Sequence, residues 1–311
     1  MPSNQHPTER PVAAPEVFDR KLLRQRRERA LRNGDPPDFL LSWVVEDIVD
    51  RLSVIKRRFP RVLNLGAHTG GLGRAVRQLD GVEFVVDADP VARMLARCSG
   101  PAVMADEEAL PFANESFDLI VSGLSLQFVN DLPGALIQIR KALKPDGVFL
   151  GAMLGGATLH ELRAVFTDAE LEMSGGASPR VAPFADVRDL GSLLQRAGLA
   201  LPVADADTLT VTYRGMLELV RELRAMGAGN VLASRLKAPM RRQLLWRAAE
   251  IYAERFGMSD GRIPATFEVI TMTGWAPAES QQKPLRPGSA RVRLADALGT
   301  KELPANDKAK R

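Results

Sequence analysis

The sequence predicts an α/β fold built on a mostly parallel sheet, and three observations carry that prediction. From residue 61 to about 153, short apolar runs (RVLNLG, VEFVVDAD, AVMA, FDLIVSG, VFLGAML) alternate with helical stretches such as VARMLARC and LPGALIQIRKAL. Strands that alternate with helices pair in parallel through crossover connections. The first run ends in a glycine-rich turn, Gly66 followed four residues later by Gly70, ahead of a helix. The third observation is compositional: with 45% hydrophobic and 26% charged residues among 311, the chain has the proportions of a globular protein. Its single cysteine, Cys98, excludes an intrachain disulfide and a cysteine metal cluster, and points to a reducing compartment. No window approaches the eighteen or so apolar residues of a membrane span. The opening residues, MPSNQHPTERPVAAPEV, lack the plan of a secretory signal. The expected location is the cytoplasm.

In chain order, residues 1–16 hold four prolines and little apolar content, so they are expected to be disordered. A helix is expected from Phe18 to Leu31, with Phe18, Leu22 and Leu31 as its apolar contacts. Gly34-Asp35-Pro36-Pro37 breaks it, and a second helix runs from Phe39 to Leu52. Residues 17–60 are thus N-terminal helices, and 61–153 form the sheet core. Residues 154–276 supply a helical cap and the last strands, TLTVTY and ATFEVITMTGWA, which complete the sheet edge. Residues 277–311 read as a disordered basic tail. Trp43, Trp246 and Trp275 read as packing residues.

Charge is concentrated at the ends. Residues 18–32 carry seven Lys/Arg against two acids, and 282–311 carry eight against three, leaving the body net acidic. Such segments attract acidic proteins or anionic lipid. The plainer reading is a solvated helix face and a tail. The partner expected is a protein substrate rather than nucleic acid, with peripheral association at the inner face of a membrane through the basic ends.

The chemistry-bearing residues cluster at the ends of the expected strands. Gly66 and Gly70 let the backbone turn sharply and approach a ligand closely, with helix N–H groups beyond. Asp87, in VVDADP, lies 21 residues after Gly66. That spacing places it at the tip of the second strand, able to accept from both ribose hydroxyls of a nucleoside. Asp106, after the third strand, is placed to accept from an adenine amine while Ala105 donates its backbone N–H. Ser122 to Asp131 would line an acceptor pocket, where Gln127 and Asn130 could orient an amide or guanidinium, or equally serve as capping or surface groups. No metal site is expected: His68 and His160 are the only histidines within the expected ordered region, and nothing in their spacing brings them together.

Together with LPFANESFDLIVS and LKPDGVFL, these features resemble the class I S-adenosylmethionine-dependent methyltransferases, the methyltransferase-11-like group in particular. Longer segments resemble one family more closely: VFDRKLLRQRRERA, SGLSLQFVNDLPG, GAMLGGATLHELR, SPRVAPFADVRDLGSLLQRAG and DGRIPATFEVITMTGW are similar to the mitochondrial complex I assembly factor five family and its bacterial relatives. The resemblance implies a Rossmann-like, seven-stranded sheet with a reversed last hairpin. It implies S-adenosyl-L-methionine as cofactor, lying over Asn64, Gly66, Ala67, His68 and Gly70, with its ribose at Asp87 and Ala88, its adenine at Ala105 and Asp106, and Ser122 nearby. It implies modification of a protein arginine, by methylation or hydroxylation. Two alternatives remain: the malonyl-carrier-protein O-methyltransferases of biotin synthesis, and a non-catalytic assembly chaperone on the same fold. The chain departs from the usual pattern twice. Asn64 stands where relatives carry an acid, and His68 where they carry the middle glycine. The imidazole of His68 is expected to swing out to solvent, the alternative being that it intrudes on the methionine end of the pocket. Catalytic residues are not assigned, because methyl transfer rests mainly on alignment with an already activated sulfonium.

Overall fold

The computed structural model describes residues 16–281, 289 and 292–301. Seven strands form one sheet in the order β3-β2-β1-β4-β5-β7-β6. They are β1 (Arg61–Leu65), β2 (Phe84–Asp89), β3 (Ala102–Met104), β4 (Phe117–Gly123), β5 (Leu143–Leu154), β6 (Ala200–Tyr213) and β7 (Ile263–Trp275). β1 to β5 pair in parallel, and β7 runs antiparallel to both β5 and β6. The order reverses between β1 and β4, so the crevice beyond their carboxyl ends is the natural ligand site of such a sheet.

Each face is covered because the central strands are apolar on both sides, as parallel strands are. β4, FDLIVSG, is buried along its whole length. On one face lie α2 (Phe39–Ser53), which buries Leu40, Val44, Ile48 and Leu52 at helical spacing, and α3 (Gly71–Val76). The same core continues under α6 (His160–Ser174), α8 (Met216–Ala225) and α9 (Arg242–Phe256), which pack on β5, β6 and β7. The opposite face is covered by α5 (Leu132–Ala142) and α7 (Val187–Arg196). Trp43 and Trp275 pack against the first core, whereas Trp246 on α9 is half exposed.

Four elements differ from the sequence reading. The crossovers after β1 and β2 form only short helices, α3 and α4 (Ala92–Leu95). β6 begins at Ala200, well before TLTVTY, because its partner β7 is long enough to pair with all of it. In the C-terminal unit, Ala278–Arg311, the segment Leu294–Leu298 forms a short helix, α10, where no structure was expected. Residues 1–15 and most of the tail lie outside the described residues.

The basic N-terminal helix, α1 (Arg20–Arg32), is capped by Asp19, whose carboxylate accepts from the Leu22 N–H at 2.9 Å. Its start is pinned by a bridge between Phe18 and Leu232, and by Asp19 N–H donating to the Val231 carbonyl at 2.8 Å. Its far end packs Leu31 on Val91 and Met94. The helix therefore crosses above the carboxyl ends of the strands, which is not the solvated position its charge suggests.

Candidate active site

The turn after β1 is built for close approach. Gly66 adopts φ +69°, and a Cβ on it would overlap Cβ and Oγ of Ser125. Gly66 and Ala67 both donate their N–H to the Ala88 carbonyl, at 2.8 and 2.9 Å, which locks the turn to the end of β2. Gly70, at φ +81°, precedes α3. Between them His68 takes a left-handed φ of +50° that a side chain rarely adopts.

The His68 imidazole does not swing outward. Its Nε2 sits 2.9 Å from the Gly123 carbonyl oxygen at the end of β4, so the ring bridges the switch point. A strand-end carbonyl that would otherwise lack a partner explains the inward rotamer. Burial pushes the His68 pKa down to about 4, the charge of nearby Arg27 adding to the effect. The neutral ring then donates Nε2–H to the carbonyl. A folded-state pKa below the unfolded value contributes stability above about pH 6.5 and loses it as pH falls through about 4. Nitrogen-detected NMR of the imidazoles should show one ring neutral down to that range and assigned to His68 by its absence in His68→Gln. Titration of that ring near 6.5 would place it in solvent.

Asp87 does not stand at the tip of β2, because the strand runs on to Asp89. Asp87 is fully buried opposite Asn64. Its two oxygens accept from Asn64 Nδ2 at 2.7 Å and from the Arg77 guanidinium at 2.6 Å, and Gly73 of α3 closes over it. Asn64 thus faces Asp87, and its Oδ1 has no hydrogen-bond partner. A carboxylate in its place would meet Asp87 before it met a ligand. Asp89 holds the tip position. It is fully buried, its oxygens accept from the N–H groups of His68 (3.0 Å) and Val91 (2.8 Å), and burial pushes its pKa up to about 6 against the opposing charge of Arg27.

Beyond β3, the Ala105 N–H is taken by the Asp89 carbonyl at 3.3 Å, so the donor expected for adenine is engaged. Asp106 stands at the rim, but two arginines of α1 hold it: Arg20 at 2.7 Å, and Arg24. Arg20 also reaches Glu107 at 2.5 Å, a carboxylate that is 2% exposed and accepts from Ser125 Oγ. Burial opposes ionisation of Glu107, yet its pKa is lowered, because Arg20, Arg27 and Ser125 outweigh that penalty. Arg27, itself 4% exposed, lies over the Phe128 ring at 5.8 Å.

Among the acceptor-side candidates, Asn130 is a staple. Its Oδ1 accepts from the N–H groups of Val17 and Phe18 at 2.9 and 2.8 Å, and its Nδ2 donates to the Phe18 carbonyl at 3.1 Å. Gln127 donates to the Leu124 carbonyl at 2.9 Å, leaving a buried Oε1 without a partner. Ser122, fully buried at the end of β4, likewise has an unpartnered Oγ. His160 packs against Phe256, apart from His68, and among the described residues no three His, Cys, Asp or Glu side chains could hold a metal ion.

Asp89, Glu107, Ser125 and the arginines of α1 were missed in the sequence. Signals existed for two of them. Asp89 is the second acid of Asp-Ala-Asp, and Arg20, Arg24 and Arg27 fall at i, i+4 and i+7, one face of a helix. The set could hold a nucleoside-bearing ligand at three points: the bare glycine cradle at Gly66, the Asp89 carboxylate, and the Asp106 carboxylate, each at the end of a separate strand. The unpartnered Ser122 Oγ lies at the end of a fourth.

Comparison with known proteins identifies the fold and the family. Residues 63–151 match the methyltransferase domain family. A candidate methyltransferase of Bacillus halodurans superposes with a TM-score of 0.54 at 15% identity, covering 75% of this chain and 100% of that one, which speaks to the fold alone. The mitochondrial arginine-hydroxylase NDUFAF5 of Danio rerio is 42% identical over 90% of this chain and 89% of its own, and that of Homo sapiens 43% over 90% and 83%. The malonyl-[acyl-carrier protein] O-methyltransferase of Laribacter hongkongensis is 35% identical over 87% and 94%. The chain has the class I fold of S-adenosylmethionine-dependent enzymes, and it belongs to the family of the arginine-hydroxylase NDUFAF5, to which the malonyl-carrier-protein methyltransferases are related.

Proposed function

We propose that this enzyme modifies an arginine of a protein substrate during complex I assembly, by methylation or hydroxylation, with S-adenosylmethionine as its cofactor. The observation that carries the reading is identity of 42–43% to the NDUFAF5 arginine-hydroxylases over nearly their whole length. In this reading the cofactor lies across the strand ends with its methionine end over Gly66 to Gly70, its ribose on Asp89 and its adenine beside Asp106. The cofactor supplies a methyl group on an activated sulfonium. The chain supplies position: Gly66 allows contact, His68 on the Gly123 carbonyl narrows the methionine end, and α1 keeps water from the crevice. Gln127 Oε1, buried and unpartnered, accepts from the guanidinium of the acceptor. Asp89 must be ionised to accept from two hydroxyls, so its raised pKa makes cofactor affinity fall as pH drops below about 6. The enzyme works in the cytoplasm. Any association with an inner membrane face falls to the C-terminal basic segment and to the outward residues of α1 such as Lys21 and Arg29, because Arg20, Arg24 and Arg27 are engaged within the fold. No helix among the described residues is long and apolar enough to cross a membrane.

A second reading, methylation of a malonyl thioester on a carrier protein, draws support from a cavity beside the crevice whose lining is rich in arginine. Mass spectrometry of complex I subunits and of the acyl carrier protein, from cells with and without the gene, separates the two. Loss of a methyl or oxygen mass on an arginine peptide supports the first reading. Loss of the malonyl methyl ester supports the second. An unchanged pattern in both leaves the assembly chaperone.

A further inference from the structure

A cavity of about 960 Å³ lies under α1 on the α6 and α8 side, at the upper end of the roughly 300–1,000 Å³ of small-molecule sites. Its two ends differ in chemistry. Leu154, Leu159, Leu162, Phe166 and Phe267 line it with hydrocarbon from β5, α6 and β7. The mouth carries Arg26 and Arg29 of α1, Arg221 and Arg224 of α8, and Lys237. Two further arginines in the lining are already matched, Arg235 by Asp19 at 3.1 Å and Arg180 by Glu170. The one carboxylate in the lining, Asp35, pairs with Arg97.

Arg26 is the telling residue. It is partly buried, and no carboxylate lies within ion-pair distance of it among the described residues. Its pKa is lowered first by burial and then by the neighbouring charges of Arg235, Arg29 and Arg224, against the smaller opposing charge of Asp19, which is itself paired with Arg235. A partly buried cation among cations is costly unless an anion joins it. The apolar interior imposes a second requirement, because a simple anion would leave the hydrocarbon wall facing water.

We infer that this cavity binds a single long acyl chain ending in an anionic head, with the head among Arg26, Arg29 and Arg224 and the chain along the wall formed by Leu162 and Phe166. This goes beyond both readings of the reaction: the malonyl-thioester reading draws on the same cavity, but the binding of a free lipid is measured without cofactor or acceptor and stands or falls apart from either reaction. The head is a carboxylate or a phosphate ester, the chemistry that guanidinium groups pair best.

Calorimetry on the full chain with oleate, below its micellar concentration and at low salt, tests the assignment. Oleate is expected to bind, with oleyl alcohol at least about tenfold weaker for want of a charge, and acetate at least about a hundredfold weaker for want of a chain. Lysophosphatidate in place of oleate distinguishes the sources: tighter binding assigns the head to a phosphate ester, weaker binding to a free fatty acid. Arg26→Gln is expected to weaken oleate about tenfold or more while leaving the thermal melting curve in place. Val220→Trp, which fills the cavity without changing charge, is expected to abolish binding of both lipids. Equal affinity for oleate and oleyl alcohol, unchanged oleate affinity in either variant, or no binding to the wild-type chain would each overturn the inference.

Discussion

Replacing Asp89 with alanine is expected to lower the affinity for S-adenosylmethionine at least about a hundredfold, while the same change two residues earlier acts on folding instead. Asp89 ends β2 with a buried carboxylate that touches only backbone N–H groups. Two charge-assisted hydrogen bonds to ribose, each worth about 1.5–3 kcal/mol, disappear with it. Asp87 is the anionic half of a pair with Arg77, whose side chain is 19% exposed, and it also receives Asn64. Asp87→Ala leaves that guanidinium mostly buried without a counter-charge, a loss of about 3–5 kcal/mol. Thermal unfolding should then fall by roughly 6–20 °C, at about 2–4 °C per kcal/mol for a chain of this size. Calorimetric titration of each variant, paired with its melting curve, separates the two roles. If Asp87→Ala melts like the wild type and loses the cofactor, the assignments must be exchanged.

The second large effect is expected at Gly66. Gly66→Ala places a Cβ against Cβ and Oγ of Ser125, and holds alanine at φ +69°. The left-handed backbone costs about 1–2 kcal/mol for a residue with a Cβ, and overpacking adds about 1–3 kcal/mol. Cofactor binding should be lost and the melting temperature lowered. The overlapping atoms belong to one side chain, so Ser125→Gly in the same chain should recover the overpacking part and leave the backbone part. A double-mutant cycle measures this directly: the two changes should be strongly non-additive. Simple additivity would show that Ser125 is not what Gly66 avoids.

The sheet was legible in the sequence because the central strands are short, predominantly apolar runs, three of them closed by glycine or aspartate and alternating with helical stretches. Placement at the strand ends was legible for Gly66, Gly70 and Asp106, where turn chemistry and strand end coincide. It was misread at Asp87, because Asp-Ala-Asp offers two acids on the same side of the strand, and only the strand's end distinguishes the one in the crevice from the one beneath α3. It was misread at His68, whose inward rotamer depends on the Gly123 carbonyl 55 residues away. Asn130 was left open between acceptor and capping roles, and the choice turns on a contact just as distant, its amide capping Phe18 across 112 residues. No local pattern carries such contacts. The basic helix was the largest difference. Its arginines read as surface charge, yet their spacing sets three of them toward the strand ends, where Asp106 and Glu107 after β3 receive Arg20 and Arg24 and the Phe128 ring receives Arg27.

The helix that roofs the crevice leaves the ribosome before every strand of the sheet, and its partners follow at two intervals. Arg20 meets Asp106 86 residues downstream, and Asp19 meets Arg235 216 residues downstream. At about 5–20 residues per second, the second interval lasts roughly 10–40 s. For the first interval, roughly 4–17 s, α1 is a nascent cationic helix whose carboxylate partner Asp106 has not been made, and β1 to β5 and the glycine turn have all been synthesised before Arg235 arrives. The strand ends that form the crevice are therefore made before the contacts that pin its cover, and the enclosure is completed only when the chain from Val231 to Arg235 arrives to hold the start of the helix.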